Sequence, residues 1–89
     1  MTNDKFVHVT GPFSANSDIV SYIKSNYYSS LKYIKKCGIQ AQTGHLVNVN
    51  GVSCEIGKTG ILEYDDVRIT SLYFEQDEPA AALVDGILE

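Results

Sequence analysis

Long apolar runs are missing from this chain. No stretch approaches the roughly eighteen apolar residues of a membrane span, and no charged segment leads into an apolar one. Neither a span nor a signal peptide is expected. Positive charge is also scarce: seven Lys and Arg stand against eleven Asp and Glu, for a formal net charge of −4. That balance discourages non-specific binding to DNA or to anionic lipid, and the one basic cluster, Lys32, Lys35 and Lys36 with Lys24 upstream, falls short of a nucleic-acid stripe. Linkers, repeats and low-complexity tracts are absent, and 89 residues hold a single core, so residues 1–89 are read as one domain. With only two cysteines, Cys37 and Cys54, the chain could hold one disulfide or two thiols. Both fall on apolar-like positions of strands, which favours buried thiols.

The motifs that carry catalysis are absent as well. There is no His-Glu-x-x-His, no Cys-x-x-Cys and no Gly-x-Ser-x-Gly elbow. Gly57-Lys58-Thr59 suggests a phosphate loop, but the glycine that motif needs is replaced by Val52, and Gly51 is one residue too early. Downstream, Ile61-Leu62-Glu63-Tyr64 does not start a helix, so no helix N-terminus is aimed at phosphate. The reading is a surface turn. His8 and His45 have no spacing that marks a metal site. Glu63, Asp65 and Asp66 lack the full calcium-loop pattern. No enzyme, cofactor or metal is expected.

What is present is a hairpin. Asn50-Gly51 between alternating apolar residues is the strongest short-range hairpin signature. It pairs Val49 with Val52 and Val47 with Cys54, with those four side chains on one face and Asn48, Ser53 and Glu55 on the other. Around it, Lys5 to Thr10 alternates as a strand that Gly11-Pro12 ends. Asn16 or Ser17 can cap a helix, with Asp18 in its first turn. Ile19, Ile23, Tyr27, Leu31 and Ile34 recur at helical spacing. Leu31, Tyr33, Lys35, Cys37, Ile39 and Ala41 recur at strand spacing. The two patterns overlap, and the division adopted is a helix over 18–29 and a strand over 31–42.

Thr43-Gly44 reads as a turn, and Gly57 to Gly60 as a second tight turn. Ile61 to Tyr64 reads as a short strand, Asp65-Asp66 as a turn, and Val67 to Glu75 as the longest β run. Asp77, Glu78 and Pro79 open a short C-terminal helix through Ala80-Ala81-Ala82-Leu83-Val84, weakened at Gly86. The expected fold is α+β: a small antiparallel β-sheet or sandwich, with a meander over 31–75, one helix near 18–29 and a short C-terminal helix.

Six tyrosines are the compositional excess, and four of them, Tyr22, Tyr27, Tyr28 and Tyr33, fall within one segment. Tyrosine offers an apolar ring and a hydroxyl at low rotamer entropy, which suits an interface. The same rings could fill a small core instead. The four are the candidate interface residues, for self-association or for recognition of a protein or glycan.

Gly38-Ile39-Gln40-Ala41, Gly44, Val49-Asn50-Gly51, Ile56 to Glu63 and Asp66 to Leu72 together resemble a short β-rich module of structural proteins of tailed bacteriophages and prophages of Gram-positive bacteria. The likeness spans about residues 31–75 and rests on turns and strand edges. It implies a virion component at the tail, baseplate or fibre. Its partners would be further copies of itself or other virion proteins, with no nucleic acid and no membrane.

Overall fold

The computed structural model describes residues 5–89. In chain order the elements are β1 (Lys5–Thr10), α1 (Ile19–Asn26), β2 (Ile34–Gln40), β3 (Leu46–Val49), β4 (Val52–Glu55), β5 (Ile61–Ile69), β6 (Leu72–Phe74) and β7 (Leu83–Leu88). They form two antiparallel sheets, one ordered β1-β7-β2-β5 and the other β4-β3-β6. The fold is a small α+β domain, with a single short helix among the described residues.

The hairpin forms in the register that its sequence specifies. Val49 pairs with Val52 and Val47 with Cys54. Asn50 and Gly51 both take positive φ, 52° and 87°, as a tight turn matched to strand twist requires. Val47 and Val49 are buried, whereas Val52, at the outer edge on β4, is exposed. Thr43-Gly44 and Gly57 to Gly60 are turns, with Gly44 and Gly60 at positive φ.

Four expectations are corrected. The helix spans Ile19–Asn26, not 18–29, and its cap is Asp18 rather than Asn16 or Ser17. One Asp18 oxygen accepts from the N–H of Val20 and of Leu72, and the other accepts from the N–H and hydroxyl of Ser21. This carboxylate therefore ties the helix start to β6. The next strand starts at Ile34, not at 31, and a bulge between Ile34 and Lys36 resets its alternation. As a result Ile34, Cys37 and Ile39, not Lys35 or Tyr33, face the core.

The third correction concerns residues 61–75. β5 runs through Asp65-Asp66 without a turn, and Asp66 absorbs the irregularity at a φ of 55°. The strand break falls instead at Thr70-Ser71, where the chain leaves the first sheet and enters the second as β6. The meander is thus divided between two sheets.

Fourth, the C-terminal helix does not form. Pro79 to Ala82 make a turn in which the Ala82 N–H donates to the Pro79 carbonyl, and β7 comes directly after it. Val84, Gly86 and Leu88 face inward at strand period, and β7 sits between β1 and β2 in the middle of the larger sheet. A Cβ on Gly86 would collide with the Lys36 carbonyl oxygen, so close β7–β2 packing requires glycine there.

Val7, Val9, Ile34, Ile39, Ile69 and Val84 of the larger sheet meet Val47, Val49, Leu72 and Phe74 of the smaller one in one core. Ile19, Val20 and Ile23 of α1 join them, with Leu31 and Ile56 from the connecting segments. The opposite face of the larger sheet has no layer of secondary structure over it among the described residues.

Candidate functional site

The tyrosines separate into two pairs. Tyr22, midway along α1, and Tyr27, at its C-terminal cap, are 48% and 60% exposed, with ring centroids 6.0 Å apart in an edge-to-face arrangement. Hydrogen bonding to Tyr22, and then its charge, raises the Tyr27 phenol pKa above its ordinary value. The helix places them there because Ile19, Val20 and Ile23 claim its inner face. Tyr28 and Tyr33 are half-buried. Tyr28 packs against the core and has the Lys5 ammonium 5.8 Å from its ring centroid; Tyr33 has the Arg68 guanidinium at 5.4 Å.

Next to Tyr22 lies a recess of about 280 Å³, walled by Val9, Pro12, Phe13, Ser17, Ile19 and Tyr22 itself. Phe13 packs against Phe74, ring centroids 5.1 Å apart and planes tilted by 43°, which fixes one wall. An exposed aromatic pair and a small, mixed-polarity hollow therefore share one surface.

The other residues singled out from the sequence do not converge. His8 is exposed on β1, with Nδ1 3.9 Å from Asp85. His45 lies elsewhere, between the turn at Gly44 and β3. Glu63 and Asp65 sit on the outer side of β5, and the described residues contain no cluster of three potential metal ligands. Gly57-Lys58-Thr59-Gly60 is a surface turn closed by the Gly60 N–H on the Gly57 carbonyl, and it leads into a strand.

Two polar arrangements were not legible in the sequence. His45 Nδ1 lies 2.7 Å from Oε2 of Glu78, whose side chain is fully buried. Gln76 Nε2 donates to the same oxygen at 2.6 Å. The Gln76 carboxamide also receives the Leu46 N–H and donates to the Leu46 carbonyl, as a strand partner would. Glu78 pairs with Phe13 through its backbone. The buried carboxylate thus joins the start of β3, the β6–β7 connection and the segment after β1. Its Oε1 has no hydrogen-bond partner among the described residues. Only a fold in hand brings residues 13, 45 and 78 together.

The second arrangement concerns the cysteines, which are both free thiols. The Tyr64 hydroxyl donates to Cys54 Sγ at 3.1 Å, linking β5 of one sheet to β4 of the other. Cys37 is buried on β2. Burial, reinforced by the charge of Asp85, pushes its thiol up to about 12. Burial likewise raises the Tyr64 phenol to about 12, with the Cys54 contact adding to it. A thiol held neutral in this way is a poor nucleophile and packs as a small apolar group.

No helix among the described residues is long and apolar enough to cross a membrane. No protein-family model, curated protein or solved structure matches this chain.

Proposed function

We propose that this chain is a non-enzymatic structural or assembly domain of a phage virion or phage-like particle, working by association with further copies of itself. The observation that carries the reading is the exposed Tyr22–Tyr27 pair beside its own recess. A surface that offers both an aromatic knob and a hollow can be self-complementary, which a two-fold contact requires. Tyrosine is also among the residue types that most often anchor such contacts. The β-rich module resemblance over residues 31–75 supplies the virion assignment.

Sedimentation at two concentrations tests the association. Wild-type protein is expected to shift to a larger species as concentration rises, and Tyr22→Ser with Tyr27→Ser to weaken that shift about tenfold, roughly 1.4 kcal/mol. Both rings lie outside the core, so the double variant should keep its fold. A protein that stays monomeric up to about 100 µM would reject an interface of standard size. Gene neighbourhood tests the virion assignment: a coding region set apart from particle-structure genes would count against it. The second reading, a small module that binds protein or glycan, is favoured by a different feature, the open face of the larger sheet.

A further inference from the structure

Alternation in the larger sheet sends one set of side chains outward in three rows. Across β1, β7, β2 and β5 the rows run Phe6–Ile87–Lys36–Asp65, then His8–Asp85–Gly38–Glu63, then Thr10–Leu83–Gln40–Ile61. Phe6 is 74% exposed and Ile61 45%. All of these residues but Thr10 border a trough of about 870 Å³, within the roughly 300–1,000 Å³ typical of ligand sites.

The centre of the trough is Gly38. On a middle strand its missing side chain opens a gap in the face. The strands on either side, β7 and β5, are about 10 Å apart, and they place Asp85 and Glu63 as the two walls. Asp85 already leans inward: its Oδ1 lies 2.7 Å from where a Cβ on Gly38 would stand. Ile87 and Leu83 flank Asp85 along β7, so that wall continues into aliphatic surface on both sides, whereas Glu63 on β5 has Ile61 on one side and Asp65 on the other. Among the described residues of this face three carboxylates, Asp65, Glu63 and Asp85, stand against one ammonium, Lys36, and the His8 imidazole, whose Nδ1 is 3.9 Å from Asp85.

We infer that this face is a docking site for an extended protein segment carrying arginine or lysine next to apolar residues. A guanidinium seated over Gly38 would lie between two carboxylates, and its methylene stem would lie along Ile87 or Leu83. Arginine suits the site best, since its planar fork matches carboxylates and it also stacks on aromatic rings such as Phe6. A second copy of the chain does not fit. Two such faces would oppose like charge. A four-strand face roughly 15–19 Å wide and 20 Å long would also bury only about 700 Å² in all, below the roughly 1,000 Å² of a stable interface. This site is separate from the Tyr22–Tyr27 surface and does not depend on it.

The test is a titration of nitrogen-15-labelled protein with a blocked peptide of alternating valine and arginine, monitored through amide shifts. Saturable changes centred on Gly38, Glu63 and Asp85 are expected, weakening as salt rises. Glu63→Gln combined with Asp85→Asn should lower affinity about tenfold. Gly38→Val should do the same with no change of charge, because it fills the trough, while Asp85 can swing aside and valine suits a strand. Tyr22→Ser with Tyr27→Ser should bind as wild type does. The same spectra show whether each variant is folded, and the neutralising and filling variants are independent, so either one can decide. Four results would overturn the proposal: no saturation up to about 5 mM peptide, shifts confined to another surface, equal binding of a valine–glutamate peptide, or folded variants that bind like wild type.

Discussion

The carboxamide of Asn50 joins segments twenty residues apart. Its oxygen accepts from the N–H groups of Thr70 and Ser71, and its nitrogen donates to the Arg68 carbonyl. It therefore closes the passage between the two sheets as well as the hairpin turn. Two substitutions separate these roles. Asn50→Gly keeps the positive φ and loses only the side-chain bonds, for an expected loss of about 1 kcal/mol. Asn50→Ala also strains the backbone and should lose about 2 kcal/mol. Urea midpoints measure both, and a glycine variant as stable as wild type would show that water replaces the bonds at no net cost. The Asn50 turn was plain in the sequence because turn chemistry is local. Its second role was not, because nothing local marks Thr70 and Ser71 as its partners.

Cys37 and Tyr64 make a second residue-scale prediction, set by pH. Both acids have folded pKa values above their ordinary ones, about 12 against 9.0 for the thiol and about 12 against 10.0 for the phenol. Between those values the unfolded chain loses protons that the folded chain keeps, so stability is intact below about pH 9 and falls as pH rises toward 12. The slope for one such group is at most roughly 1.4 kcal/mol per pH unit. Tyr64 is only partly buried, so its share is smaller after solvent screening. Urea midpoints at pH 8 and pH 11 should show the fall, and Cys37→Ala should lower stability at pH 8 and flatten the fall toward pH 11. An unchanged slope in that variant would mean that the thiol is not the group that titrates.

Among the elements, β7 shows how tertiary context overrides local preference. Three alanines before Leu83 favour a helix, by about 0.5 kcal/mol each over β-branched residues. Insertion between β1 and β2 buries Val84 and Leu88 instead and satisfies the strand's backbone on both sides. Burying large aliphatic side chains contributes roughly 1.5–3 kcal/mol each, which outweighs the helix preference. Inward spacing at 84, 86 and 88 was present in the sequence, but glycine at 86 hid it, since a glycine has no side chain to count. The bulge at Ile34 hid the true inner face of β2 in a similar way, by breaking the alternation on which the reading depended.

The two sheet glycines predict opposite responses. At Gly86 an alanine Cβ would press on the Lys36 carbonyl and stand 3.0 Å from Ile34 Cγ2, both fixed within the sheet. Gly86→Ala should cost about 2–3 kcal/mol. At Gly38 the one close atom is the tip of the mobile Asp85 side chain, so Gly38→Ala should stay within about 0.5 kcal/mol of wild type. Equal losses at the two sites would mean that backbone freedom, not crowding, sets the glycine requirement.

At the scale of the whole molecule, the sheets share one core and are tied at several points. β5 and β6 are one continuous run of chain through Thr70-Ser71. Asp18 reaches Leu72, Tyr64 reaches Cys54, and Glu78 holds His45 against the β6–β7 connection. Neither sheet has a second apolar layer of its own to fall back on. Separating them would expose Ile34, Ile39, Val47 and Phe74 together, at several kcal/mol. The expected behaviour is a single cooperative unfolding transition. Amide exchange should report it directly, with β2 amides from Cys37 to Ile39 and β3 amides from Val47 to Val49 opening at the same free energy. His45→Ala supplies the decisive comparison, because it leaves the Glu78 carboxylate buried with Gln76 as its remaining partner, at a cost of about 3 kcal/mol. Although His45 leads directly into β3, the middle strand of the smaller sheet, the loss should appear equally in β2 and β3. If β3 alone lost protection, the smaller sheet would be a separately opening unit.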